Sequence, residues 1–193
     1  LARYPMDQRC TARMDDINQF LFPLWNLSPA APGWLVTLAR LSSEYLSKIA
    51  LAWVFVLLVF GKPAWRRMAI QVLVAIAIVW LVARGIHETW PQPRPFMVGQ
   101  GHQWIEHSPS PSFPSRHATI AMAFGVMALL TAPRRWVGVL CLVVALMVGW
   151  SRVALGVHFP MDIIAGALIA TLVAVAVHLT WRVRERSGRL PTI

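Results

Sequence analysis

The sequence predicts an all-α membrane protein, a polytopic bundle of five or six transmembrane helices, and three observations predict it. Hydrophobic residues make up 57% of the 193 positions and charged residues only 13%, too apolar a mixture for a water-soluble single domain. The apolar residues gather in runs close to the ~20 residues a helix needs to cross hydrocarbon, and the runs lack the alternation of barrel strands. The formal charge of +10 lies in short groups beside those runs, not in a stripe with interleaved aromatics. It therefore reads as membrane topology, and no nucleic-acid partner is expected.

Residues 1–15 read as an N-terminal tail and residues 16–193 as one membrane domain. Arg3, Asp7, Arg9, Arg13, Asp15 and Asp16 occupy the place where a cleavable signal peptide would have a basic start and then an apolar run, so none is expected. The segment 16–44 holds Phe20, Leu21, Phe22, Leu24 and Trp25, then Pro29 and Pro32, then Trp34, Leu35, Leu38 and Leu41. The last group has the spacing of an amphipathic helix, which lies in the interface or forms a sixth span. Five apolar segments follow, at 45–61, 68–84, 117–132, 136–151 and 162–181. Cys141 sits inside the fourth, where a free thiol behaves as a small hydrophobe, and no disulfide with Cys10 is expected.

Lys62, Arg66 and Arg67 join the first two spans, Arg134 and Arg135 join the third and fourth, and Arg182, Arg184, Arg186 and Arg189 follow the last. If the five helices alternate, all three groups fall on one face, which the positive-inside rule makes cytoplasmic together with the C-terminus. The segments 85–116 and 151–161 then share the opposite face, with Trp90, Trp104 and Trp150 near that interface. The first of them carries Pro91, Pro93, Pro95, Pro109, Pro111 and Pro114, and a long connection stiffened by proline is usually functional.

Nearly all the polar chemistry lies in three clusters on that face: HETWPQPRP at 87–95, PSRH at 114–117 and SRVALGVHFPMD at 151–162. These resemble the type 2 phosphatidic acid phosphatase superfamily over roughly residues 45–181. Its pattern is a Lys followed after six residues by Arg-Pro, then Pro-Ser-Gly-His, then Ser-Arg, five residues, His, three residues and Asp. The third element is complete here in Ser151, Arg152, His158 and Asp162.

The resemblance implies the membrane version of the acid phosphatase and vanadium haloperoxidase fold, with phosphoryl transfer through a phosphohistidine and no metal or other cofactor. Carried over position by position, it implies His158 as nucleophile, His117 as acid for the leaving oxygen, Asp162 as the residue that orients His158, and Arg94, Ser115 and Arg152 as phosphate ligands. The chemistry suits those residue types. Imidazole is largely neutral and nucleophilic near pH 7. Asp162 at i+4 reaches the same helix face as His158, the free N–H groups of a helix start favour an anion beside His117, and guanidinium forks bind phosphate bidentately. The bland alternatives are a helix-capping aspartate and serine, and arginines that snorkel to the interface.

Two positions depart from the pattern. His87 stands where the family has Lys, and Arg116 where it most often has Gly; His87 is a candidate phosphate ligand, and Arg116 a candidate replacement for the lysine charge. His102 and His107 lack a matching metal-ligand set and are expected to serve the loop or the substrate; His178 is expected to be structural. The stretch from Arg94 to His117, with Arg94-Pro95-Phe96, Gly99, Gly101, His107 and Phe113-Pro114-Ser115, looks like the bacterial undecaprenyl-diphosphate phosphatase branch. That implies a lipid diphosphate substrate, removal of its terminal phosphate to recycle carrier lipid for cell-wall synthesis, and a place in the bacterial inner membrane with the site facing outward. Alternatives are a phosphatidylglycerophosphate, phosphatidate or lipid A phosphatase or a lipid phosphotransferase. A transporter or scaffold is disfavoured, because apart from Gln71 the span centres are almost wholly apolar.

Overall fold

Apolar runs in a bilayer have no backbone option but the helix or the closed barrel, and this chain takes the first. The computed structural model describes residues 8–188, with side chains from Asp16 onward. Arg189, the side chain of Cys10 and residues 1–7 of the expected tail lie outside the described residues. The helices are α1 (Gln8–Trp25), α2 (Gly33–Leu41), α3 (Ser47–Phe60), α4 (Pro63–Thr89), α5 (Arg116–Thr131), α6 (Arg135–Ala154) and α7 (Pro160–Arg186), and among the described residues every regular element is helical.

A π-helical turn, Ser42–Leu46, joins α2 to α3 without interruption, so Gly33–Phe60 is a single helix of 28 residues. This helix, α4, α6 and α7 are each long and apolar enough to cross a membrane. The segment 16–44 thus divides, at the turn after Trp25, between α1 and the first half of the first membrane helix. The first span begins at Gly33 and not near 45, because Ser42, Ser43 and Glu44 dilute the hydropathy of a helix they do not end. Helix α1 starts at Gln8, inside the stretch expected to be a tail.

The central helix is α5, with 16 residues and a length of roughly 24 Å. It packs against α4, α6 and α7, so its shortness is covered by protein. Small residues allow the approach: a Cβ on Gly138 of α6 would stand 2.7 Å from Leu129 Cα of α5, the close backbone contact typical of membrane helix pairs.

Helix starts follow local chemistry. Pro63 and Pro160 occupy the first turns of α4 and α7, where a missing N–H costs nothing, and Ser115 caps α5. Arg67 near the start of α4 pairs with Glu185 near the end of α7 at 3.0 Å. The basic ends of the antiparallel helices therefore meet at one end of the bundle, and the loops 90–115 and 155–159 meet at the other. Helix α1 packs at that second end, with Phe22 edge-on to Phe159 at 5.3 Å and Asn18 Oδ1 accepting from Met161 N at 3.1 Å.

Candidate active site

Helix α6 ends in a tight reversal that delivers His158. The amides of Val157 and His158 both donate to the Arg152 carbonyl, at 3.1 and 3.3 Å, and Gly156, immediately before them, has φ +74°. A side chain there would be strained and would also run into the His102 carbonyl. Asn26 joins this reversal to the long loop: its Nδ2 donates to His102 O at 3.0 Å and Ala154 O at 3.2 Å, and its Oδ1 accepts from His102 N at 2.8 Å. Trp104 adds an amide bond to Leu155 O at 3.0 Å and an indole bond to Leu27 O at 2.9 Å.

His158 is 1% exposed. Asp162, in the first turn of α7, presents Oδ2 to His158 Nδ1 at 3.2 Å and accepts from Phe159 N at 2.9 Å. Ser112 Oγ donates to the same oxygen and also lies 3.2 Å from His158 Nδ1. On the far side of the ring, Arg94 Nη1 stands 2.9 Å from His158 Nε2. A guanidinium only donates, so Nε2 is the nitrogen with the lone pair and Nδ1 carries the proton that points toward Asp162; this tautomer is assigned from the hydrogen bonds. Burial, reinforced by the charges of Arg94 and Arg152, holds the imidazole well below its ordinary 6.5, so the ring is neutral at pH 7.

Arg94 enters the site just before a short 3-10 turn, Pro95–Val98. All three of its nitrogens have acceptors: Nε donates to Ser110 O at 2.8 Å, Nη1 to Val157 O at 2.8 Å as well as to His158, and Nη2 to Pro111 O at 3.1 Å and Ser110 Oγ at 3.2 Å. Burial pulls its pKa down to about 10, which leaves it charged. Arg152, 3% exposed, is different: Nη1 donates to Ser43 Oγ in the π turn, while Nε and Nη2 have no partner.

Ser115 is fully buried, its amide donating to Asp162 O at 3.2 Å and its Oγ accepting from Ala118 N at 3.5 Å. Arg116 and His117 follow on the exposed rim of the α5 start. His87 donates through Nε2 to the Pro114 carbonyl at 2.8 Å; that nitrogen braces the turn before Ser115 and is not open to an anion. His107 stands 6.4 Å from His158 between ring centroids, and burial lowers its pKa too. His102 packs edge-on to Trp104 at 4.6 Å, and His178 lies in α7 toward the basic end. Among the described residues no three His, Cys, Asp or Glu side chains come together as a metal-ligand set.

The structure thus gathers Arg94, Ser115, Arg152, His158 and Asp162, with His117 and Arg116 at the rim and His87 behind the Pro114 turn. It adds Ser112, Ser43 and Asn26, which sequence reasoning missed. Ser112 lies three residues before Ser115 in an irregular loop, where no periodicity points it anywhere; Ser43 is signalled only as a polar residue inside an apolar helix. Beside His117 opens an apolar cavity of about 260 Å³ among α3, α4, α5 and α6, walled by Leu46, Val54, Ile76, Ile120, Phe124 and Val148.

A multi-pass helical bundle whose polar side chains converge at one end, beside an apolar cavity, is a membrane protein organised around a single site. Residues 68–186 match the model of the PAP2 superfamily, and the chain belongs to that superfamily; it is a membrane phosphatase. It is 31% identical over 169 residues to YbjG of Escherichia coli K12, provisionally named an undecaprenyl-diphosphatase, covering 88% of this chain and 85% of that one. It is 32% identical over 163 residues to an undecaprenyl-diphosphatase of Sulfolobus acidocaldarius, covering 81% and 75%. Among solved structures, LpxE of Aquifex aeolicus superposes with a TM-score of 0.68 at 23% identity, covering 83% of this chain and 94% of that one. A PAP2-type phosphatidylglycerolphosphate phosphatase of Bacillus subtilis superposes with a TM-score of 0.61 at 18% identity, covering 94% and 89%. At these identities the two structures speak for the fold.

Proposed function

We propose that the protein hydrolyses the terminal phosphate of undecaprenyl diphosphate and so returns carrier lipid to cell-wall synthesis. The observation that carries this reading is the pairing of a buried His158 whose Nε2 lone pair faces Arg94 with an Arg152 that keeps two unpartnered nitrogens beside it, next to an apolar cavity at His117. An anion and a hydrocarbon chain are thereby accommodated together, and the names of the relatives favour the undecaprenyl substrate.

In this reading an incoming phosphate oxygen takes the Nη1–H of Arg94 away from Nε2, which frees the lone pair as the nucleophile arrives at phosphorus. Nε2 forms the bond to phosphorus, the bond from phosphorus to the bridging oxygen breaks, and His117 gives that oxygen its proton. Asp162 stabilises the imidazolium-like ring through Nδ1. Arg152, Arg94 and the N–H groups at the Ser115-capped start of α5 hold the equatorial oxygens, where charge is stabilised without reorganisation. His117, now a base, takes a proton from water; the water oxygen bonds to phosphorus, the N–P bond breaks, and undecaprenyl phosphate and inorganic phosphate leave. No step calls for a metal. The positive-inside rule sets the site at the outer face of the bacterial inner membrane and the C-terminus in the cytoplasm.

The test is phosphate release in detergent from undecaprenyl diphosphate, phosphatidylglycerophosphate and lipid A, with and without chelator. Undecaprenyl diphosphate is expected to have the highest kcat/KM, with no chelator effect; a higher value for either other lipid reassigns the substrate. His158→Ala should lose on the order of 10³-fold or more of the activity, and acid-labile label from substrate should be trapped on the parent. A His158→Ala protein that turns over as fast as the parent refutes the nucleophile.

A further inference from the structure

We infer that Ser43, in the π turn of the first membrane helix, is a positioning residue that aims the anion-binding edge of Arg152. The inference rests on the reading of this site as a phosphate site. The family match begins at residue 68, so Ser43 lies outside it, as does the whole helix Gly33–Phe60.

Arg152 and Ser43 are 3% and 4% exposed, and Nη1 donates to the serine hydroxyl. Nη1 is the terminal nitrogen on the Cδ side of the guanidinium. Its bond to Ser43 therefore ties down one corner and leaves the opposite edge, Nε–H with Nη2–H, which grips two oxygens of an anion side by side. Those are the two nitrogens without a partner. A buried, charged donor pair with nothing to bond is costly, and a tetrahedral oxyanion removes that cost. Without Ser43 the guanidinium is free to turn about its long side chain, and the edge loses its aim.

The local helix geometry supports the same role. Ser42–Leu46 is the only π turn among the described residues, and such turns widen a helix by one residue and accompany functional sites. Here the turn packs on α6, the helix that carries Arg152. It buries Ser42 and Ser43 while Leu41, Glu44 and Tyr45 stay exposed, so the two serines are turned inward at this level.

The experiment uses the purified full chain in detergent, with inorganic phosphate as a competitive inhibitor of lipid-phosphate hydrolysis. Ser43→Ala should raise the inhibition constant for phosphate, and KM with it, by about tenfold, the worth of one hydrogen bond to a charged group. Ser42→Ala, which removes the same atom from the same turn, should match the parent. In an Arg152→Ala background, Ser43→Ala should add no further loss, because it acts through the arginine. The inference is overturned by a Ser43→Ala protein with the parent's inhibition constant, by equal losses in Ser42→Ala and Ser43→Ala, or by an undiminished penalty without Arg152. A parent inactive on every lipid phosphate overturns the functional reading first, and the role of Ser43 with it.

Discussion

Arg94 and Arg152 are both buried, both charged and both drawn from the same family pattern, yet they are partnered in opposite ways. Arg94 has an acceptor on each nitrogen, four of its five bonds going to loop residues 110–111 and to Val157, and the fifth to His158. Arg152 has one bond and two unpartnered nitrogens. The difference separates two tasks that a sequence motif merges. In the proposed mechanism the fully bonded arginine positions the His158 ring and yields one N–H to the incoming phosphate, while the under-bonded one offers its whole open edge to the anion. Loop carbonyls hold the first rigidly, whereas a single serine from a distant helix holds the second.

The contrast is broken most severely by Arg152→Ala. Loss of the open donor edge should lower kcat/KM by about 10²- to 10³-fold, with a parallel rise in the inhibition constant for phosphate; a variant that binds phosphate as the parent does would show that the edge does not face the anion. Arg94→Gln should cost somewhat less, about 10²-fold in kcat/KM, and should also move the pH profile. His158 is held below 6.5 by burial and by the neighbouring charge of Arg94. Protonation removes the lone pair, so activity falls as pH drops through that pKa. The parent's acid limb in kcat/KM should therefore lie below pH 6.5, and removing the positive neighbour should shift it upward. An unmoved limb in Arg94→Gln would sever the link between this arginine and the nucleophile.

Ser112→Ala sharpens the comparison on the nucleophile's side. Ser112 bonds to Asp162 and His158, so about a tenfold fall in kcat is expected, with the inhibition constant for phosphate unchanged; a change confined to that constant would place Ser112 on the substrate instead. The smallest effect belongs to the rim. Arg116 is exposed, its charge screened by water and salt, and Arg116→Gly should weaken phosphate binding only about two- to fivefold. Full retention of activity and affinity would end the idea that it stands in for the family lysine.

Much of the fold was legible because the bilayer forces apolar runs into helices, and Pro63, Ser115 and Pro160 mark helix starts by rules that act within a few residues. The division of 16–44 was not, since Ser42, Ser43 and Glu44 look like an end to hydropathy although the helix passes through them. In the site, the resemblance to a family pattern singled out Arg94, Ser115, Arg152, His158 and Asp162, and the structure brings these five together. Ser112 was not singled out, because an irregular loop has no period from which to infer a direction.

By itself the sequence determined the membrane class, the order of the helices and the residue types gathered at their ends, all consequences of local propensity and of transfer from water to hydrocarbon. Only the tertiary structure decided that Arg94 faces the ring nitrogen of His158, that His87 Nε2 braces the Pro114 turn, and that Arg152 rests on Ser43. Those choices depend on where separate helices and one long loop come to lie against each other, and hydrogen bonds a few ångströms long distinguish arrangements that hydropathy treats as the same.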